Sequence, residues 1–262
     1  MIEIDGGKLF YEVRGSGSPV VLVHGGSLDA SMWDAQVALL EGAHTVIRYD
    51  LRGHGKSSSP TAPFSHHEDL RQLLDALDVP SAEVVGLSLG GQIAIDFAIA
   101  YPGRVAKLLL AAPGISGKPF RDPFILGNLA ELAAAKEAGE HERAVEHILR
   151  MWVDGPHRTS KEVDPAIRAF CRELNFASVT RPEGAGHSFA TGFGAAGRIA
   201  ELRAETLLLV GDLDCADMLG TADLIAREAP RVRKHTLPGA GHMINLEAPA
   251  EFARLLRRFL AR

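Results

Sequence analysis

One serine in the chain stands where an alcohol can become a nucleophile. Ser88 lies at the centre of Gly86-Leu87-Ser88-Leu89-Gly90-Gly91. A serine hydroxyl attacks poorly unless it is exposed and a base takes its proton. A sharp turn from a strand into a helix supplies the exposure but strains the backbone, and glycines two residues before and two after relieve the crowding. A helix beginning behind Ser88 also presents free N–H groups to developing negative charge. The Gly-x-Ser-x-Gly pattern occurs once in the chain. The chemistry it implies is acyl transfer.

Such a serine needs a base, and the base needs an acid, in the chain order Ser, Asp, His. Val210-Gly211-Asp212-Leu213-Asp214 ends an apolar run and offers two carboxylates, with Asp217 slightly beyond. Asp214 is better placed in the loop past the strand tip; Asp212 is the alternative. Gly-Ala-Gly-His occurs twice, at 184–187 and 239–242. His187 precedes the acid, whereas His242 follows the last strand and leads into the terminal helix. His242 is therefore the expected general base, and His187 a loop histidine.

The oxyanion formed on attack needs two N–H donors. Leu89, directly after the nucleophile, supplies one. The other is expected from His24-Gly25-Gly26-Ser27, where glycines let the backbone approach substrate. We assign it to Gly26, with Ser27 next in line. His24 has no partner at metal-ligand spacing and is expected to hold this loop by hydrogen bonds. Two other motifs fail. Gly55-Lys56-Ser57 resembles a P-loop tail, but position 50 is Asp50 rather than glycine. The glycines at 86, 90 and 91 miss dinucleotide spacing because position 88 is serine.

Strands and helices must alternate to put these residues at strand ends. Apolar runs predict strands over 20–23, 45–49, 83–87 and 105–111. Helical spacing falls at 33–40, 69–77 and 90–100. This rhythm implies an α/β fold with a mostly parallel sheet covered on both faces. From 116 to 197 no strong strand appears, only helical stretches over 126–138, 142–152 and 165–175. Alternation resumes with strands at 206–210 and 234–237 and helices at 221–229 and 249–260. The expected organisation is a core of residues 1–115 and 198–262 with a helical cap, 116–197, inserted.

Composition excludes several function classes. The chain has 262 residues, of which 46% are hydrophobic and 23% charged, with a net charge of −5. That is the make-up of an ordinary folded protein, with no basic footprint for nucleic acid or anionic membrane. Arg254, Arg257 and Arg258 fit the solvated face of the last helix. No apolar run approaches a membrane span, and the polar start of the chain does not read as a signal peptide. Cys171 and Cys215 are expected to be unrelated free thiols in a reducing cytoplasm. No metal or cofactor is expected.

With these residues placed, the sequence resembles the α/β-hydrolase superfamily over essentially its whole length. The landmarks are His24-Gly25-Gly26, Asp50-Leu51-Arg52-Gly53-His54-Gly55-Lys56-Ser57, the Gly86–Gly91 elbow, Gly211-Asp212-Leu213-Asp214 and Gly239-Ala240-Gly241-His242. The resemblance implies an acid three residues after Gly211, which supports Asp214. It also implies a structural role for the 50–57 loop. Ser88 stands where haloalkane dehalogenases and epoxide hydrolases carry aspartate, so neither activity is expected. Within the superfamily the chain is similar to carboxylesterases, to 3-oxoadipate enol-lactone hydrolases over 27–34, and to C–C bond hydrolases of aromatic degradation. The expected substrate is a small ester, with a lactone or a C–C bond as the alternative and a non-catalytic receptor further behind. Ser27, Phe124, Trp152 and Met243 are expected to line the substrate pocket. Met151, Phe170 and Phe176 are further candidates from the cap.

Overall fold

The computed structural model describes residues 1–181 and 190–261. Its nine strands, among the described residues, are β1 (Ile2–Ile4), β2 (Gly7–Leu9), β3 (Tyr11–Arg14), β4 (Ser18–Val23), β5 (His44–Tyr49), β6 (Ala82–Leu87), β7 (Val105–Ala111), β8 (Glu205–Gly211) and β9 (Val232–Leu237). The helices are α1 (Asp34–Leu40), α2 (His66–Ala76), α3 (Leu89–Ala100), α4 (Pro123–Glu137), α5 (His141–Leu149), α6 (Pro165–Val179), α7 (Ala216–Glu228), α8 (Ile244–Glu247) and α9 (Pro249–Leu260).

Seven strands form one sheet in the order β3-β5-β4-β6-β7-β8-β9. Within this sheet only β3 runs antiparallel, against β5, and its other pairings are parallel; β1 and β2 form a separate antiparallel pair. Parallel neighbours need crossover helices, and those helices cover both faces. The side chains divide accordingly. Val21, Val23, Leu108, Leu110, Leu208 and Val210 pack toward α2, α3 and α7. Their sequence neighbours Val20, Leu22, Leu109, Ala111, Leu207 and Leu209 pack toward α1 and α9, against Trp33 and Phe252. The period of two sends adjacent residues to opposite faces, and both faces are core. On α9, Phe252, Leu255, Leu256 and Phe259 are buried while Arg254, Arg257 and Arg258 are exposed, as the helical spacing required.

Between β7 and β8 the chain forms α4, α5 and α6. Among the described residues this stretch adds no strand to the sheet; a single bridge joins Ala190 to Phe64. Helix α5 does not end cleanly but widens into a π-turn at Arg150–Asp154, a distortion frequent at functional sites. The short strands β1–β3 carry no clear sequence signal. Besides their backbone pairing they are tied down by side chains from elsewhere: Arg48 Nε donates to Glu12 at 2.7 Å, and Arg52 donates to Gly6 O at 2.9 Å and Asp5 O at 2.7 Å.

Candidate active site

Ser88 is the single residue between β6 and α3. Its backbone sits at φ 55°, ψ −114°, a conformation costing about 1–3 kcal/mol for a non-glycine residue. Neighbouring backbone holds it there: Ser88 N–H donates to Ala111 O, and Ser88 O accepts from Gln92 N–H and Gly114 N–H, each at 3.0 Å. The flanking glycines are dictated by space. A Cβ at Gly86 would lie 2.3 Å from Gly90 O, and one at Gly90 would lie 2.1 Å from Val23 O. With Leu89 opening α3, Ser88 stands at a helix N-terminus, where N–H groups and the helix dipole favour negative charge.

β8 and β9 end beside one another, and the loops beyond them bring Asp214 to His242. Their side chains are 1% and 2% exposed, and His242 Nδ1 donates to Asp214 Oδ2 at 2.8 Å. Asp214 Oδ1 accepts the Cys215 N–H at 2.8 Å. His242 Nε2 is buried and has no partner among the described residues. The other two carboxylates have different work. Asp212 is exposed and accepts Gly239 N–H at 2.7 Å, tying two loops together. Asp217 accepts the N–H groups of Arg121 and Asp122, each at 2.8 Å, and so anchors the start of the inserted helices to α7. His187 lies outside the described residues.

The loop after β4 is fixed by His24. Its Nδ1 donates to Gly25 O at 2.7 Å and its Nε2 accepts Leu51 N–H at 2.9 Å. Burial lowers its basicity, which keeps the ring neutral in the tautomer these two bonds require. The 50–57 loop is likewise occupied with structure. Asp50 accepts Ala30 N–H at 2.9 Å and Lys56 N–H at 2.7 Å. Arg52 grips Asp69 with two bonds, and Lys56 lies over the Phe10 ring.

Ser88, Leu89, His242, Gly25, Gly26 and Ser27 open onto one cavity of about 490 Å³. Its other walls are mainly apolar. Ile148, Met151 and Trp152 come from α5 and its π-turn, Met218 from α7, and Met243 from the histidine loop. The Trp152 ring packs on the His242 imidazole with centroids 4.8 Å apart. Three candidate pocket residues, Ser27, Trp152 and Met243, are therefore at the cavity, with Met151. Phe124 is not among its described lining residues. It is half-buried beneath the Arg150 guanidinium and packs against the cluster of Ile125, Met151, Cys215 and Met218, while Leu129, Leu132 and Lys136 follow the 3–4 spacing that faces the cavity. Phe170 packs into the core, and Phe176 is exposed. Phe120, just ahead of α4, was missed by sequence reasoning; its neighbours Pro119 and Arg121 carry no apolar pattern to mark it. Among the described residues, no three His, Cys, Asp or Glu side chains gather into a metal site. Cys171 and Cys215 are free and buried, and burial pushes both thiols up to about 12.

Comparison with known proteins agrees with this fold. A family model described as alpha/beta hydrolase matches residues 20–255. The chain belongs to the alpha/beta hydrolase family. The putative carbamate hydrolase RutD of Variovorax paradoxus is 30% identical, over 97% of this chain and 96% of that one. A hydrolase from Pseudomonas aeruginosa PA01 of known structure has 30% identity and a TM-score of 0.84, covering 100% of this chain and 97% of that one. Est816, described as an N-acyl homoserine lactone degrading enzyme, has 29% identity and a TM-score of 0.77, covering 98% and 99%. Uncharacterized proteins of Mycobacterium tuberculosis and Mycobacterium bovis are 35% identical over 138 residues, a span covering only 40% of their length. No described helix of this family member is long and apolar enough to cross a membrane.

Proposed function

We propose that this alpha/beta hydrolase is a serine esterase acting on small carboxylic esters, with Ser88 as nucleophile, His242 as general base and Asp214 as its orienting acid. The observation that carries this reading is the state of His242. One nitrogen is committed to a buried carboxylate, while the other is unpartnered, and the ring borders the same cavity as the strained Ser88.

Ser88 Oγ attacks the ester carbonyl carbon as its proton moves to His242 Nε2. The carbonyl oxygen becomes an oxyanion, held by the N–H groups of Gly26 and Leu89. Its collapse expels the alcohol, which takes the proton from His242, and leaves an acyl group on Ser88. Water, deprotonated by His242, attacks that acyl carbon; a second oxyanion collapses, and Ser88 regains its proton as the acid departs. Asp214 holds the Nδ1–H throughout and stabilises the imidazolium. Losing one oxyanion donor typically costs ~10²–10³ in rate.

We propose that the insertion acts as a cap, with α4, α5 and the π-turn covering the substrate pocket. The apolar faces of α4 and α5 suit a short hydrophobic or aromatic acyl group. Buried free thiols fit a reducing compartment, and we propose the cytoplasm. A second reading, lactone cleavage by the same residues, draws support from the likeness to Est816. A kinetic panel of aryl esters, acyl homoserine lactones, enol-lactones and carbamates tests these readings. Ser88-dependent turnover highest on aryl esters supports esterase action, whereas preference for a lactone or carbamate replaces it.

A further inference from the structure

We infer that the half-buried Arg158–Glu247 ion pair positions His242, by locking the histidine loop to the segment that carries Trp152. The inference rests on His242 being the general base. The pair joins two stretches of chain that approach the imidazole from different sides.

On one side is the end of the π-turn. The final carbonyls of a helix have no intrahelical partners, and here a guanidinium takes two of them. Arg158 Nη2 donates to Val153 O at 2.9 Å and Nε to Asp154 O at 3.0 Å. Trp152, whose ring lies on the imidazole, immediately precedes them. Arg150 closes the turn by donating to Gly155 O and to Arg158 O. Asp154, itself buried, is held by Arg168 Nε at 3.0 Å.

On the other side is the histidine loop. Arg158 Nη1 donates to Glu247 Oε2, and that same oxygen accepts the N–H of Gly241, the residue before His242, at 3.1 Å. Glu247 Oε1 is buried without a partner among the described residues, so its anchoring runs through Oε2. The side chains are 12% and 7% exposed. Gly241 makes room for this joint: a Cβ there would lie 2.2 Å from Arg158 Nη2. The glycine of Gly-Ala-Gly-His at 241 is thus spatially tied to an arginine 83 positions earlier in the chain.

A buried ion pair often contributes no more net stability than apolar residues of similar volume. What this one supplies is geometry. The planar fork reaches two carbonyls and a carboxylate at once, which a lysine ammonium on its flexible stem does not reproduce. Small misplacements of a catalytic group cost large factors in rate.

The test compares wild type with Arg158→Met/Glu247→Leu, which replaces the pair by apolar side chains, and with Arg158→Lys. Three quantities are read: melting temperature, kcat and KM on a neutral short-chain aryl ester, and the low-field proton resonance of the His242 Nδ1–H bonded to Asp214. The double variant should melt within a few degrees of wild type. Its kcat should fall at least tenfold with KM changed less than threefold, and the resonance should broaden through exchange with water. Arg158→Lys should fall between the two. A folded double variant with kcat within twofold of wild type and an unaltered resonance overturns the inference. If the double variant does not fold, Arg158→Lys decides: full kcat with an unchanged resonance overturns it, and loss of both supports it. The resonance needs no turnover, so it still reports on the joint if the esterase reading fails.

Discussion

His242 and Asp214 meet across 2.8 Å in a space nearly closed to water, through Nδ1 on one side and Oδ2 on the other. That bond fixes which imidazole nitrogen carries the proton. It leaves Nε2 without a proton and without a partner among the described residues, on a ring that borders the same cavity as Ser88.

In the proposed mechanism, Asp214→Asn removes the charge that stabilises the imidazolium and permits the wrong tautomer. We predict a fall in kcat of roughly 10²–10⁴ with little change in KM. Asp212→Asn should leave kcat within threefold, because Asp212 serves the Gly239 turn rather than the imidazole. Steady-state kinetics on one aryl ester compares the two; equal losses would show that proximity to the strand tip, not the bond to His242, identifies the acid.

Gly86→Ala should abolish soluble folded protein. The added methyl meets backbone at 2.3 Å, and backbone cannot swing aside as a side-chain tip can. A cooperative melt within a few degrees of wild type would refute the steric account of this glycine.

Much of this site is legible in the sequence. Ser88, the Gly86 and Gly90 spacing, and the order of acid and histidine all follow from local rules at strand ends, where one segment carries the signal. Strands β4 to β8 stand out as apolar runs because both sheet faces are buried. What stays hidden depends on contacts distant in sequence. Strands β1–β3 are short and held by Arg48 and Arg52 from elsewhere in the chain. Phe124 and Leu129 share a helix and an apolar character, and only the rotation of α4 against the cavity separates them. The choice between Asp212 and Asp214 likewise depends on where the histidine loop comes to lie.

Trp152 narrows the cavity beside the candidate base and packs against Phe120, with ring centroids 5.8 Å apart. Trp152→Ala should raise the ratio of kcat/KM for octanoyl over butanoyl aryl esters by roughly tenfold, the scale set by accommodating extra methylenes. An unchanged ratio would remove Trp152 from the acyl pocket.

Asp96 offers a pH test remote from the catalytic step. It is buried on α3 and accepts the Ser116 hydroxyl at 2.6 Å. Burial pushes its carboxyl from 3.8 up to about 7, against the opposing effect of that bond. The folded state therefore keeps a proton that the unfolded chain releases, and stability drains away as pH rises between those two values. Asp96→Asn cannot ionise, so its stability relative to wild type should increase by roughly 2–3 kcal/mol between pH 5 and pH 8. Urea unfolding at both pH values measures this; a constant difference would place Asp96 outside the linkage.

If Ser88 is the nucleophile, it must be the residue that forms the covalent intermediate. Wild type, Ser88→Ala and His242→Ala should each be incubated with a fluorophosphonate and measured by intact-protein mass. We predict one phosphonyl adduct on wild type, mapped to Ser88 after digestion, none on Ser88→Ala, and slow labelling of His242→Ala. Equal labelling of wild type and Ser88→Ala would contradict the assignment of Ser88.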